Sequence, residues 1–209
     1  MLKKEYDCEI LLQNDAKCAA MAEKKFGSLK KYDDALFLIV GTGVGGAVFL
    51  QGKLLIPKRY SGFEVGHMVI EKDGAKCNCG RKGCFEVYGS MKRLKEKIKE
   101  EFKLNSIDGK QIKKFMIKNE KDKKLEVILD EYIENLVIGI ANLINIFEPE
   151  AISIGGSFAY YKEILLEKLE NKLLEKQELY NKDDIPKIVI AELKNDAGII
   201  GAAMQSWRQ

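Results

Sequence analysis

Apolar and polar positions along this chain repeat with two periods, and the switches between them mark out its elements. "CEILL" (8–12) is a short, mostly apolar run that predicts a buried strand. "DAKCAAMAEKKFG" (15–27) is Ala-rich, opens on an acid and stops at Gly27, which predicts a helix. "ALFLIV" (35–40) and "GAVFLQGKLL" (46–55) read as strands around a cluster of glycines, with a turn near Gln51-Gly52. A loop-rich stretch runs from about Pro57 to Cys84, and helices follow at about 90–102, 109–117 and 122–147. The last is long and increasingly apolar on all sides, which predicts a central position. "EAISIGGS" (150–157) is a strand ending in a double glycine, 159–175 an amphipathic helix, "KIVIAE" (187–192) a strand and "DAGIIGAAMQSW" (196–207) a closing helix. Strands alternating with helices indicate an α/β protein.

Composition narrows this picture. With 209 residues and 46% hydrophobic content, the chain can bury the core of one large domain, or of one domain plus a small piece. Thirty-five Lys and Arg face 32 Asp and Glu, and the net charge of +3 is spread through mixed-sign runs such as "KRLKEKIKEEFK". That is no footprint for nucleic acid or a membrane surface. The amino-terminal "MLKKEYDCEILLQND" lacks the continuous apolar core of a signal peptide, and no stretch approaches the roughly 20 apolar residues of a membrane span. A cytoplasmic location is expected. Three of the five cysteines fall within residues 77–84, which suits a reduced compartment and a metal site better than a disulfide framework.

"GTGVGG" (41–46) spells G-x-G-x-x-G. A dinucleotide fingerprint needs a helix opening on the loop, whereas "AVFLQGKLL" reads as a second strand and a turn. A bare hairpin turn is the bland alternative. Six residues exceed what a tight hairpin needs, and Thr42 adds a hydroxyl donor, so the stretch is expected to be a strand-loop-strand cradle for phosphates.

The chain's only histidine, His67, precedes Cys77, Cys79 and Cys84. Three thiolates and an imidazole make a full tetrahedral set for Zn²⁺, and Gly74, Gly80 and Gly83 would let a short loop wrap the ion. A closed set leaves no position for water, so the expected zinc is structural. Glu64 lies in "EVGH" and Glu86 in "CFE", one on each flank of this segment. A metal clamping both flanks would fix the two carboxylates to accept hydrogen bonds from several hydroxyls, which suits a sugar. Taken singly, each is more often a solvated surface acid. Asn14-Asp15 sits where a strand would give way to a helix. It reads either as an N-cap or as a proton acceptor at the carboxyl end of an α/β strand.

Together these blocks resemble the ROK family of sugar kinases and sugar-responsive repressors. The resemblance is carried in order by "NDAKCAAMAE", "GTGVGG", "GFEVGHM", "CNCGRKGCFE", "ISIGGS" and "NDAGIIGAA", almost the whole chain. It implies an actin-like, ribonuclease-H-like ATPase fold. It also implies that Asp15 is the catalytic base and that Asn14, Glu64, His67 and Glu86 bind the sugar. Gly41, Thr42 and Gly43 would form the second phosphate loop, and Gly155 and Gly156 the adenosine-side loop. His67 would ligate zinc with one ring nitrogen while its other side faces the sugar. ATP with Mg²⁺ would be the co-substrate, and a homodimer the assembly.

Family members carry about a hundred further residues before the part matched here, opening on a "DxGGT"-type phosphate loop. The segment 1–27 therefore looks like a remnant of the amino-terminal ATPase domain, and 28–209 like the carboxy-terminal ROK domain with its zinc loop. On this reading strand 8–12 and helix 15–27 would lack most of their sheet neighbours and expose an edge and an apolar face that favour self-association. The function expected first is ATP-dependent phosphorylation of a hexose or N-acylhexosamine, glucokinase-like and incomplete in this chain alone. The alternatives are the sugar-sensing domain of a ROK-type regulator without specific DNA binding, a non-catalytic remnant, or a zinc-stabilised interaction domain without ligand.

Overall fold

The protein is described by a computed structural model, which defines residues 5–58, 63–105, 108–176 and 185–205. In chain order its elements are helix α1 (Asp15–Phe26), strands β1 (Ala35–Val40), β2 (Val44–Leu50) and β3 (Lys53–Leu54), helices α2 (Phe85–Gly89), α3 (Met91–Phe102), α4 (Gly109–Lys118) and α5 (Lys123–Phe147), strand β4 (Ala151–Gly155), helices α6 (Ser157–Tyr160) and α7 (Lys162–Lys176), strand β5 (Lys187–Ile190) and helix α8 (Ala197–Met204). Short 3₁₀ turns at Val65–His67 and Lys194–Asp196 complete the set. Among the described residues no helix is long and apolar enough to cross a membrane.

The strands form one mixed sheet in the order β3-β2-β1-β4-β5. β1, β2 and β3 are an antiparallel meander, while β4 runs parallel to β1 and β5 parallel to β4. The β2–β3 turn is Gln51-Gly52, with φ of 52° and 74°, the paired left-handed conformation that suits a two-residue hairpin turn. Alternation along β1 divides the core. Leu36, Leu38 and Val40 face a large cluster with α3, α4, α5 and α7, while Ala35 and Phe37 face a smaller one with α1 and α8.

Helix starts follow side-chain chemistry. Asn14, Ser90, Asp108 and Asp122 each accept a hydrogen bond from a first-turn amide of the helix that follows. The helices expected at 90–102, 109–117 and 122–147 are therefore found within a residue or so of those limits. α5 lies against the sheet, but it is not buried all round: Val127 and Ile146 are each 65% exposed. Residues 206–207 of the closing helix lie outside the described residues.

Three expectations are corrected. Residues 8–12 form no strand, and Leu12 is 84% exposed, because no described strand lies alongside to take up their backbone hydrogen bonds. α1 does not present a bare apolar face: Ala16, Ala19, Ala20 and Ala22 are buried against α8 and the sheet. Finally, the glycine loop is three residues long, Gly41 to Gly43, and Gly45 and Gly46 belong to β2. Val44 pairs with Val40 and restarts the apolar alternation, so the ladder resumes earlier than the glycine count suggests. No helix opens on this loop.

Candidate functional site

The carboxyl end of β1 supplies the first wall. There the chain turns through Gly41, Thr42 and Gly43, closed by a Gly41 N–H bond to the Gly43 carbonyl at 2.9 Å. The Lys92 N–H donates to the Gly41 carbonyl at 3.1 Å and anchors the loop to α3. Glu86, in the first turn of α2, turns towards the loop, and its Oε2 accepts from the Val44 N–H at 3.0 Å. α1 points its amino end into the same space. Asn14 caps it by accepting from the Lys17 N–H at 3.2 Å, and Asp15 Oδ1 accepts from the Ala16 N–H at 2.8 Å. The N-cap reading of this pair is thus correct for Asn14 and compatible with a second task for Asp15.

These parts enclose a cavity of about 340 Å³ that brings together Asn14, Asp15, Gly41, Thr42, Gly43, Glu64 and Glu86. Residues from four separated segments thereby share one wall system. Gly155 and Gly156 stand outside its lining, at the end of the neighbouring strand β4. They remain adjacent to the loop, since a side chain on Gly41 would find the Ser157 amide nitrogen 3.9 Å away. Lys17 and Phe63 also line the cavity and were not foreseen. Lys17 reads as the polar face of an amphipathic helix yet is only 2% exposed, and nothing in the local pattern signals that burial.

The metal set is equally compact. His67 Nδ1 lies 3.6 Å from Cys77 Sγ, Cys79 Sγ lies 3.6 Å from Cys84 Sγ, and all four ligand atoms fall within 4.8 Å of one another. Zinc–thiolate bonds of about 2.3 Å in a tetrahedron put sulfur atoms about 3.8 Å apart, so the donors fit that ion in number, type and spacing. Backbone bonds hold the loop in shape: Cys77 N–H to the Arg81 carbonyl at 2.8 Å, Gly83 N–H to the Ala75 carbonyl at 2.9 Å and Phe85 N–H to the Met68 carbonyl at 2.7 Å. Gly83 is required here, because its φ is +76° and any Cβ would run into the Glu71 carbonyl. Without metal the thiols differ sharply. Hydrogen bonds from the Arg81 backbone and then its guanidinium pull Cys79 down to about 6, whereas burial pushes Cys84 up to about 12.

The cluster joins the two carboxylate-bearing segments. Glu64 precedes the 3₁₀ turn that carries His67 and accepts the His67 N–H at its carbonyl, while Cys84 immediately precedes α2 and Glu86. His67 itself is turned towards the cysteines and is not among the residues lining the cavity.

The profile of the ROK family matches residues 1–207. The chain belongs to the ROK family. It is 32% identical to a glucokinase of Thermotoga maritima over 97% of this chain and 67% of that protein. It is also 29% identical to a xylose repressor of Caldicellulosiruptor bescii, over 96% of this chain and 53% of the repressor. Among solved structures, a ROK family glucokinase from Streptomyces griseus in complex with glucose and AMPPNP superposes with a TM-score of 0.84 at 25% identity, covering 98% of this chain and 70% of that one. The chain thus spans about two thirds of the kinase and about half of the repressor it matches. This ROK chain has the actin-like sugar-kinase fold, built on a mixed sheet, and a Cys/His cluster able to hold a metal ion.

Proposed function

We propose that this chain carries the acceptor-sugar site and one phosphate-binding wall of an ATP-dependent hexose or N-acylhexosamine kinase. The observation that carries the reading is the single cavity shared by Asn14, Asp15, Glu64, Glu86 and the Gly41–Gly43 loop. The carboxylates and the Asn14 amide can each accept or share hydroxyl hydrogens, which is how a polyol is held in register. Asp15 takes the proton of the attacking hydroxyl as that oxygen bonds to the γ-phosphorus, and the bond to the bridging oxygen breaks to release ADP. The Thr42 hydroxyl and the Thr42 and Gly43 amides would offset the charge that builds on the phosphoryl oxygens. Gly155 and Gly156 would border the nucleoside. Mg²⁺ arriving with the nucleotide would offset phosphate charge. Zinc at His67, Cys77, Cys79 and Cys84 would brace Glu64 and Glu86 without taking part in transfer. Residues 1–27 would complete an amino-terminal ATPase half, residues 28–209 form the carboxy-terminal half, and the active assembly would be a dimer in the cytoplasm.

Titration with glucose, mannose, fructose and their N-acetyl amino-sugar counterparts, followed by a coupled ADP assay, tests this. Binding of one sugar with turnover supports the kinase. Sugar binding without turnover favours the second reading, a sensor domain, to which the similarity to the xylose repressor lends weight. No binding of any sugar refutes both. Where turnover is measurable, Asp15→Asn should fold and bind sugar yet lose rate by about 10²–10⁴-fold.

A further inference from the structure

A second cavity of about 340 Å³ lies between the metal loop and α3, bordered by Lys76, Asn78, Tyr88, Ser90, Lys92 and Arg93. It meets the first cavity at Thr42 and Glu86, which line both, whereas Asp15 lines only the first. Three cations and two acids, Glu86 and Glu96, face this space. Both acids are engaged: Glu86 by the Val44 N–H at 3.0 Å, and Glu96 by Lys92 at 3.8 Å. Among the described residues neither Lys76 nor Arg93 has an ion pair. Lys76, Lys92 and Arg93 against Glu86 and Glu96 leave a formal excess of one positive charge, and a concave surface of net positive sign concentrates anions.

The amino end of α3 adds to this field, having no acid in its first turn. Two of its first-turn amides are already spent, Lys92 N–H on the Gly41 carbonyl and Arg93 N–H on Ser90 Oγ at 3.3 Å. Direct contacts to an anion therefore fall to the side chains, and an arginine fork beside a lysine suits a phosphate group.

We propose that the second cavity is a phosphate subsite continuous with the first, so that a ligand filling both carries a phosphate group at the end remote from Asp15. The inference rests on the first cavity being a sugar site. Two sources supply this chemistry: a phosphate monoester on the sugar, or the tail of a polyphosphate donor.

Calorimetric titration of the full chain with glucose, glucose 1-phosphate and tripolyphosphate, at about 50 mM and about 300 mM NaCl, separates the possibilities. Glucose 1-phosphate should bind about tenfold tighter than glucose at low salt, as two exposed charge-assisted contacts allow. The advantage should shrink at high salt and disappear in the Lys76→Gln/Arg93→Gln double variant. It should survive in Lys110→Gln, which removes an exposed cation elsewhere. If tripolyphosphate alone depends on Lys76 and Arg93, the subsite stands and belongs to the donor. If glucose fails to bind while tripolyphosphate still depends on the two cations, the sugar reading falls and the subsite stands. The proposal is overturned if neither phosphate compound loses affinity in the double variant.

Discussion

Replacing Gly43 by alanine should displace one carboxylate and leave the rest of the Gly41–Gly43 loop alone. A Cβ at this position would run into Glu86 Oε2, the oxygen that accepts the Val44 N–H at 3.0 Å. The obstruction is the far end of a flexible side chain, so the carboxylate swings aside and the backbone holds. The cost is then one hydrogen bond to an ionised group. Discounted for the partial exposure of Glu86, that is about 1.5 kcal/mol. In a chain of this size each kcal/mol moves Tm by about 2–4 °C, so Gly43→Ala should melt about 3–6 °C below the parent. Gly41→Ala is the control, since the nearest atom to its Cβ is the Ser157 amide nitrogen at 3.9 Å, an ordinary contact. It should melt within about 1 °C of the parent. Differential scanning calorimetry of both, repeated in a Glu86→Ala background, tests the assignment of the cost. In that background the Gly43→Ala penalty should vanish, because the obstructing carboxylate and its bond are already gone. An undiminished penalty, or a Gly43→Ala protein that melts with the parent, would refute the reasoning.

Other outcomes follow from single features. Cys84→Ser should abolish stoichiometric zinc, measured by plasma emission spectroscopy, and lower Tm by more than about 5 °C, since the Cys84 side chain is fully buried. Zinc displaces protons from the thiols, so affinity should rise with pH. At pH about 6 Cys79 is about half deprotonated, and from there to pH about 8 Cys84 still gives up its proton on binding the metal, so a competitive chelator titration should find about a tenfold gain or more per pH unit. Tyr161 donates to the Gly109 carbonyl at 2.7 Å, and burial pushes its phenol up to about 12. Its folded pKa is raised, so its contribution is complete below the usual value near 10 and is lost as pH climbs from there through about 12. Tyr161→Phe should cost about 1 kcal/mol at neutral pH and flatten that alkaline loss in urea melts. Glu23 is fully buried and accepts from Ser28 N–H and Oγ at 2.8 Å each and from Leu193 N–H at 2.7 Å, tying α1 to the turn before α8. Glu23→Ala strands those donors and should lower stability by about 3 kcal/mol or more by chemical denaturation, whereas a loss under about 1 kcal/mol would mean the network is dispensable.

How legible each part was depends on whether its physics is local. The helices from residue 91 to 147 announce themselves by their own periodicity and caps, and the structure finds them where the pattern predicts. The Cys/His cluster able to hold a metal is legible for a similar reason: a short loop closed on itself can bring Cys77, Cys79 and Cys84 together regardless of the rest of the fold. Residues 8–12 were misread because a strand is a relation between two segments, and an apolar run contains no information about whether a partner lies beside it. The glycine loop was misjudged in length because glycine composition does not reveal where a ladder resumes, which the Val40–Val44 pairing decides. Lys76 and Arg93 show the limit most plainly. In the sequence they are two of 35 basic residues, one on a loop and one on a helix, with no spacing that links them. They become a pair only because metal-loop geometry and the bond from the Lys92 amide to the Gly41 carbonyl bring a loop and a helix end to either side of one cavity. A property made by the joining of two elements can be tested only by perturbing both of them, and for that reason the double variant, rather than either single change, is the decisive measurement.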